Sequence, residues 1–566
     1  MRLALLPCVL AVAACGDALQ PPPSELCQAE YSAIAAIQGE RFNSPMLGET
    51  TTVRGVVTRV EPGHGFYIEE HGEHDSASLA LLIQAEQLSH TARVGQELAL
   101  HGRVAELGSK RDTLTALADI DDHSLCAQEA ALPLTRVQLP LESFEREALE
   151  GMRVTVDGPL SLTDAFNGYR GLWTLSAGTP LRLPTEDGPP GPAAAERARS
   201  DRQHSLHIAL PGTDFPGAPV GTSVSRVQGV FGHLDERQQL LLETIPQMDL
   251  GTPNPVDPPA AGHLRVVSLN LLNYFNGDGR GGGFPTARGA RTPADFQRQQ
   301  QRTQAALDLM QPHLLAVQEL ENDGFGRFSA ARSLLDLLNA VGPDDWAVIN
   351  PEGDSIGDDI ITVGLFYRQQ LLQPVGPAEL LQGPAFELSR VPLAQLFREQ
   401  ASGQELLVVV NHLKSKGRCP SDGPNADQGD GQGCWNRARV DAVRALDTWL
   451  NELSLRTGTR RILILGDMNA WRQEEPIQAY REAGYVDLVE ALTGLPQHSF
   501  VYFGQRGTLD YALTTPALRA LARRAFIWHI NADWPRDMPL PQPWLRNSDH
   551  DPVVVDLELS QAATSN

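Results

Sequence analysis

The chain has 566 residues and a net charge of −24, from 70 acidic and 46 basic side chains. Its length predicts about three or four domains, and a hydrophobic content of 42% excludes a wholly disordered chain. The acidity excludes a protein that coats nucleic acid by counterion release alone, but not an enzyme that grips a few phosphates through a metal. Only Lys110, Lys414 and Lys416 among the basic residues are lysine, and the last two flank Ser415.

Residues 1–15 carry one Arg, an apolar run and then small residues, the pattern of a secretory signal too short for a membrane span of about 20 residues. Val12-Ala13-Ala14-Cys15-Gly16 resembles a bacterial lipobox and predicts lipidation at Cys15, with ordinary cleavage and release as the alternative. Cys8 leaves with the signal. Cys27, Cys126, Cys419 and Cys434 remain, an even number that suits an oxidising compartment. Cys27 and Cys126 bracket one candidate domain, and Cys419 and Cys434 bracket an Asp- and Gly-rich loop. Pairing within each bracket is expected, although four cysteines allow three connectivities.

Between 28 and 250 one phrase recurs: a Gly, alternating apolar residues, and a second Gly seven or eight positions later. It runs Gly48–Gly55, Gly95–Gly102, Gly151–Gly158 and Gly221–Gly229. Period-two alternation reads as a half-buried strand, and the second Gly as a bulge or tight corner. The copies divide into two pairs, predicting two small OB-like β-barrels at 28–128 and 129–250, with an open sheet or sandwich as the alternative. Residues 251–262 read as a Pro-rich linker. Beyond it, apolar runs at 264–269, 314–317, 360–367, 406–410, 462–465, 509–513 and 553–557 alternate with helical patterns, including 296–310 and 437–450. This predicts an α/β domain over 263–560.

Polar residues cluster at the ends of these runs: Asn270, Gln318, Glu319, Asn411, His412, Asp467, Asn469, Asp510, Asp549 and His550. One such residue is more simply a turn former; six strand ends marked alike point to a ligand site on one sheet edge. Glu319, Asn270 and Asp549 offer hard oxygen ligands for Mg²⁺, with Mn²⁺ or Ca²⁺ as alternatives, and such a cation usually partners substrate phosphates. Two histidines, each with a possible acidic orienter, suit proton transfer in phosphodiester cleavage. No Gly-x-Ser-x-Gly elbow for a serine nucleophile is present.

In order, Ser268-Leu269-Asn270, Gln318-Glu319, Asn411-His412, Gly466-Asp467-Met468-Asn469, Leu509-Asp510-Tyr511 and Ser548-Asp549-His550-Asp551-Pro552 resemble the motif series of the endonuclease/exonuclease/phosphatase (DNase I-like) superfamily. The segments 411–417 and 427–436, Arg288-Gly289-Ala290 and His529-Ile530-Asn531-Ala532-Asp533 are similar to its bacterial extracellular-nuclease branch, as are 33–70 and 147–156 in the β-modules. The resemblance implies a four-layer α/β sandwich behind two β-modules. It implies Glu319, Asn270 and Asp549 as metal ligands, and His412, His550, Asp467, Asn469 and Asp510 as catalytic residues. Asp510 would orient His550. Asn411, Lys414, Lys416, Arg288 and Asp359 would contact substrate, Asp359 in a secondary role. Thr362 stands where the branch commonly has a basic residue, leaving one phosphate contact unaccounted for.

The implied activity is metal-dependent hydrolysis of DNA, with RNA left open, leaving 5′-phosphate ends. The implied setting is a monomer at the bacterial cell envelope, touching membrane only through a lipid on Cys15, or secreted. A phosphodiesterase or phosphatase for lipid or inositol phosphates is the alternative within the enzyme class. A surface lipoprotein that binds DNA or glycans without catalysis is the alternative outside it. Lys414 and Lys416, in a chain otherwise almost free of lysine, suggest a need for compact ammonium groups beside His412.

Overall fold

The computed structural model describes residues 25–559 apart from 74–75, 110–111, 166–167, 216, 235–236, 251–253, 342–344, 352, 354, 495–496 and 537. The predicted signal, Cys15 and Lys110 lie outside the described residues. Among the described residues no helix is long and apolar enough to cross a membrane.

Five strands, Thr50–Glu61, Gly65–Glu69, Ala80–Ile83, Glu97–Ser109 and Asp112–Ala127, form a closed barrel in the order 1-2-3-5-4. The third and fifth run parallel. Alternate residues such as Val53, Val57, Phe66, Ile68, Leu100 and Val104 fill the interior. A disulfide joins Cys27 to Cys126.

A second sheet contains Arg153–Asp164, Leu172–Ala177, Ser205–Ala209, Ser223–Leu234 and Arg237–Leu242, flanked by Thr135–Val137 and Met248–Asp249. The strand Ser223–Leu234 pairs also with Arg153–Asp164, so these five close a ring in the same 1-2-3-5-4 order. Its third and fifth strands are again parallel. The four Gly phrases open the first and fourth strand of each ring. In each, the first Gly makes the turn into the strand, as Gly221 does at φ 96°. The second sits where another strand passes too close for a side chain; a Cβ on Gly229 would lie 2.2 Å from the Leu241 carbonyl oxygen.

The remainder is a four-layer sandwich. One six-stranded sheet orders its strands as Trp346–Val348, Ile361–Arg368, Leu314–Glu321, Leu264–Tyr274, Val553–Leu557 and Ala522–Ile527. The other orders them as Leu372–Leu380, Leu393–Glu399, Glu405–His412, Ile462–Asp467, Asp510–Thr514 and Val486–Asp487. The continuous apolar runs follow from burial on both faces. Val266, Leu314, Val408, Leu463 and Val555 fill the seam between the sheets. Their chain neighbours Val267, Leu315 and Val554 meet the helices Pro293–Met310 and Ala330–Val341. Val409 and Ile464 meet Asn436–Thr457 and Glu475–Glu482. The second disulfide, Cys419–Cys434, closes the loop before the helix Asn436–Thr457.

The chain gathers into two compact units whose borders differ from the expected divisions after 128 and 250. One holds the chain up to 136 with 143–154 and 230–238. The other holds 137–142, 155–229 and 239 onward. The physical reason lies in contacts between 155–229 and the sandwich. The buried carboxylate of Glu186 accepts from the Thr508 N–H and hydroxyl, both at 3.0 Å, and from the Arg472 N–H at 3.2 Å. Arg506 donates to the Val220 carbonyl at 2.7 Å, and Leu183 packs with Trp471 and Leu509. The described part of the predicted linker, 254–262, also lies along the sandwich: the Asn254 carbonyl accepts from Trp528 at 2.9 Å, and Val256 is buried.

Candidate active site

Along the central strands the positions facing the seam run apolar and then, at one end, polar. Leu264 and Val266 lead to Ser268 and Asn270, Leu314 and Ala316 to Gln318, Val408 and Val410 to His412, and Leu463 and Leu465 to Asp467. Ala512 leads back to Asp510 on the antiparallel neighbour. Strand register sets Asn270 beside Gln318, His412 beside Asp467, and Asp467 beside Asp510. The polar ends of both sheets therefore meet at one edge of the seam.

Glu319 breaks the alternation. Its φ is 60°, and the strand register shifts between Val317 and Leu320. This bulge re-aims a side chain that strict alternation would send toward the helices. The Asn273 N–H holds one carboxylate oxygen at 2.9 Å. Asn469, at φ 48°, donates its N–H to Asp467 Oδ1 at 2.8 Å and its amide to the Leu413 carbonyl at 3.1 Å.

Asp467 Oδ2 is the centre of the cluster. It lies 3.4 Å from His412 Nε2, 3.9 Å from His550 Nε2 and 3.4 Å from Asn270 Nδ2. Asp510 accepts from His550 Nδ1 at 2.7 Å, the orienting pair expected. Ser499 fixes Asp510 in turn, its hydroxyl accepting the Leu509 and Asp510 N–H groups. The segment 529–533 shapes the loop that carries Asp549 and His550. Asp551 Oδ1 accepts the N–H groups of Ile530, Asn531 and Ala532, and Asn531 donates to the His550 carbonyl at 2.7 Å.

The two histidines are electrically unlike. Burial pushes the His412 pKa well below the usual imidazole range, and the charges of Arg390, His550 and Arg288 add to this. Its Nδ1 is buried without a hydrogen-bond partner, and the carboxylate that faces it, Asp467, lies on the Nε2 side. Burial also acts against charge on His550, but Asp510, Asp467 and Asp549 outweigh it and hold its pKa well above the usual range. The surroundings therefore favour a neutral His412 and a charged His550. Burial raises Asp467 and Glu319 as well, with Asp549 adding to the effect on Glu319.

Glu319, Asn270 and Asp549 are brought together, near enough that both Asn270 and Asp549 act on the Glu319 carboxylate. Nearby, Gln318 Oε1 and Asn273 Oδ1 are buried with no hydrogen-bond partner. Half-buried carboxylates beside unmatched hard oxygens fit a divalent cation. Asp467, Asp510 and His550 form a second group with ligand atoms within 4.8 Å of one another.

Among the expected substrate contacts, Arg288 is near enough to act electrostatically on His412 and Arg390. Asn411 is buried and both its amide atoms lack partners. The Lys414 ammonium lies 4.9 Å from the Trp435 ring, and burial with Arg390 nearby lowers its pKa. Lys416 turns inward: its half-buried ammonium donates to Glu474 at 2.6 Å and to the Gln432 carbonyl, bracing the 416–434 loop. That internal niche accounts for a compact ammonium. Asp359 faces Arg390 at 3.5 Å.

Arg390 was missed by sequence reasoning, since it lies in a loop with no apolar run to frame it. It is nearly buried, its Nε lacks a hydrogen-bond partner, and its charge acts on Glu319, Asp467 and His412. It supplies a cation to the cluster in a chain where Thr362 is neutral. Glu186 was also missed, because nothing local distinguishes a buried carboxylate from a surface one.

The fold and site define a hydrolase of phosphate esters. Residues 267–550, just over half of the chain, match the Endonuclease/Exonuclease/phosphatase family, and the chain belongs to that family. No curated protein matches the chain significantly. Among solved structures it is similar to the human Nocturnin catalytic domain with bound sulfate, at 17% identity and TM-score 0.34 over 53% of this chain and 95% of that one. An endonuclease/exonuclease/phosphatase from Bacteroides vulgatus is similar at 16% identity and TM-score 0.36, over 53% and 99% of the two chains. A mannosyl-6-phosphatase from Bacteroides thetaiotaomicron is similar at 17% identity and TM-score 0.35, over 52% and 99%. Likeness of this degree says nothing about substrate.

Proposed function

We propose that the chain is an exported, metal-dependent nuclease that hydrolyses phosphodiester bonds of extracellular DNA by in-line attack of water, leaving 5′-phosphate ends. The observation that carries this reading is Asp467 Oδ2, set between His412, His550 and Asn270. A carboxylate of raised proton affinity at that centre orients the water and takes its proton. His550, protonated and held by Asp510, offers an N–H and a positive charge to a phosphate oxygen. The neutral His412 sits across Asp467 from it. Arg390, Arg288 and Lys414 concentrate positive charge that an acidic protein otherwise lacks. Glu319, Asn270 and Asp549 would hold a hard cation, which supplies Lewis-acid stabilisation of charge developing on phosphate.

Two disulfides suit an oxidising compartment. With the N-terminal signal pattern, they support an envelope lipoprotein anchored through Cys15, acting as a monomer. Supercoiled plasmid incubated with Mg²⁺, Mn²⁺, Ca²⁺ or EDTA tests the activity. Nicking is expected with a divalent cation and none with EDTA, and Glu319→Ala is expected to lose roughly 10²–10³-fold. Full activity in that variant would overturn the assignment.

A further inference from the structure

A cavity of about 240 Å³ opens beside Asp549, at the edge of the catalytic cluster. Phe500, Tyr502, Phe503 and Trp534 line it, with Arg536 at its rim. Asp164, from the second β-ring, and Val220, just before its fourth strand, also line it. Phe500 links cavity to chemistry: its ring packs on His550 with centroids 4.7 Å apart.

The hairpin of Phe500–Tyr502 and Gln505–Gly507 and its turn carry two largely exposed rings, of which Tyr502 leans on the buried Trp471 with centroids 6.4 Å apart and Phe503 stands further out. Tyr502 is 48% exposed and Phe503 79%. They meet edge to face at 4.6 Å. Phe503 also holds φ at 46°, a left-handed conformation uncommon for an aromatic residue and suited to Asn or Gly. The β-ring keeps it there. The Thr163 hydroxyl donates to the Gly504 carbonyl, and a Cβ on Gly504 would lie 2.6 Å from Asp164. On the other hairpin strand the Arg506 N–H donates to Leu181, and its carbonyl accepts from Leu183. A solvent-facing aromatic pair held in a costly backbone conformation has a ligand-binding explanation where a packing one is lacking.

We propose that this cavity is a nucleobase site, in which the base next to the scissile phosphate stacks on Tyr502 and Phe503. The proposal rests on the nuclease reading above. A phosphate at His550 and Asp549 leaves its attached nucleoside one residue from the cavity. The aromatic walls match a planar heterocycle, and aromatic faces bind bases with little sequence preference. The charged side chains of Asp164 and Arg536 in the lining suit the polar edges of a base better than an acyl chain. Arg546 also lines the cavity, with its Nε buried and lacking a hydrogen-bond partner. The second β-ring is thus part of the substrate site, and a single-stranded or frayed end is favoured over intact duplex because the base must leave its stack.

The test uses the full chain with His412→Ala, titrated in Mg²⁺ with a 2-aminopurine dinucleoside monophosphate, while the wild-type chain is assayed for cleavage of the same compound. Stacking is expected to quench the fluorescence. Phe503→Asn, which suits the backbone, should weaken binding about 10-fold and abolish the quench; Phe503→Trp should retain both. Cleavage by wild type with no quench, or with binding unchanged in Phe503→Asn and Tyr502→Ala, overturns the nucleobase site and leaves the nuclease reading intact. Absence of both cleavage and quenching, with hydrolysis of sphingomyelin vesicles instead, overturns both.

Discussion

The two β-rings share a strand order, a parallel pairing of third and fifth strands, and the same Gly phrases. They differ in what their buried acids hold. In the first unit, Glu69 accepts from the Arg153 N–H and Glu150 from the Thr115 N–H, so the barrel and the adjoining 143–154 segment satisfy one another. In the second ring, Glu186 accepts from Thr508 and Arg472 in the sandwich, and Thr508 stands two residues before Asp510. The acids of the first unit tie its barrel to the start of the second ring's first strand, and Glu186 ties the second ring to a catalytic strand. Like folds thus take unlike roles through a few buried polar contacts.

Three substitutions break or sharpen this comparison, in descending order of expected effect. Burial, working against the Arg153 N–H and charge, raises Glu69 from 4.5 to about 7. The unfolded chain releases that proton first as pH rises, so this contribution to stability is complete below pH 4.5 and is lost by about pH 7. Glu69→Gln should stabilise the first unit at pH 8 by up to about 3 kcal/mol, with no gain at pH 4 and unchanged kcat. Denaturant melts at both pH values, with hydrogen exchange on barrel amides, check this. Glu186→Ala should do the opposite, lowering kcat roughly 10–100-fold through a displaced Asp510 while KM changes little. Steady-state kinetics separate the two parameters, and an effect confined to stability would return the second ring to the role of the first. Arg103→Ala removes an exposed pair with Asp119 on the first barrel and should cost under about 1 kcal/mol, with no change in activity.

What could be read in sequence follows the same division. Period-two alternation and paired glycines mark both rings because strand sterics are local. The double-sided apolar runs mark the sandwich, and their polar ends mark Asn270, His412, Asp467 and Asp510, because one strand carries both signals. Arg390 and Glu186 left no such mark. Each earns its environment only when distant segments meet: Arg390 across from Asp359 and Glu319, Glu186 across from residues more than 280 positions away. The inward turn of Lys416 is silent for the same reason, since its partner Glu474 lies on another element. The bulge that turns Glu319 inward was also silent, because a left-handed Glu looks like any other in sequence.

The most direct measurement is the fate of the attacking oxygen. DNA cleaved by the wild-type chain in H₂¹⁸O with Mg²⁺ should carry a single ¹⁸O on each new 5′-phosphate and none on the 3′-hydroxyl, and Glu319→Ala and His412→Ala should give little product. Label on a 3′-phosphate, or cleavage that persists in both variants, would contradict the account.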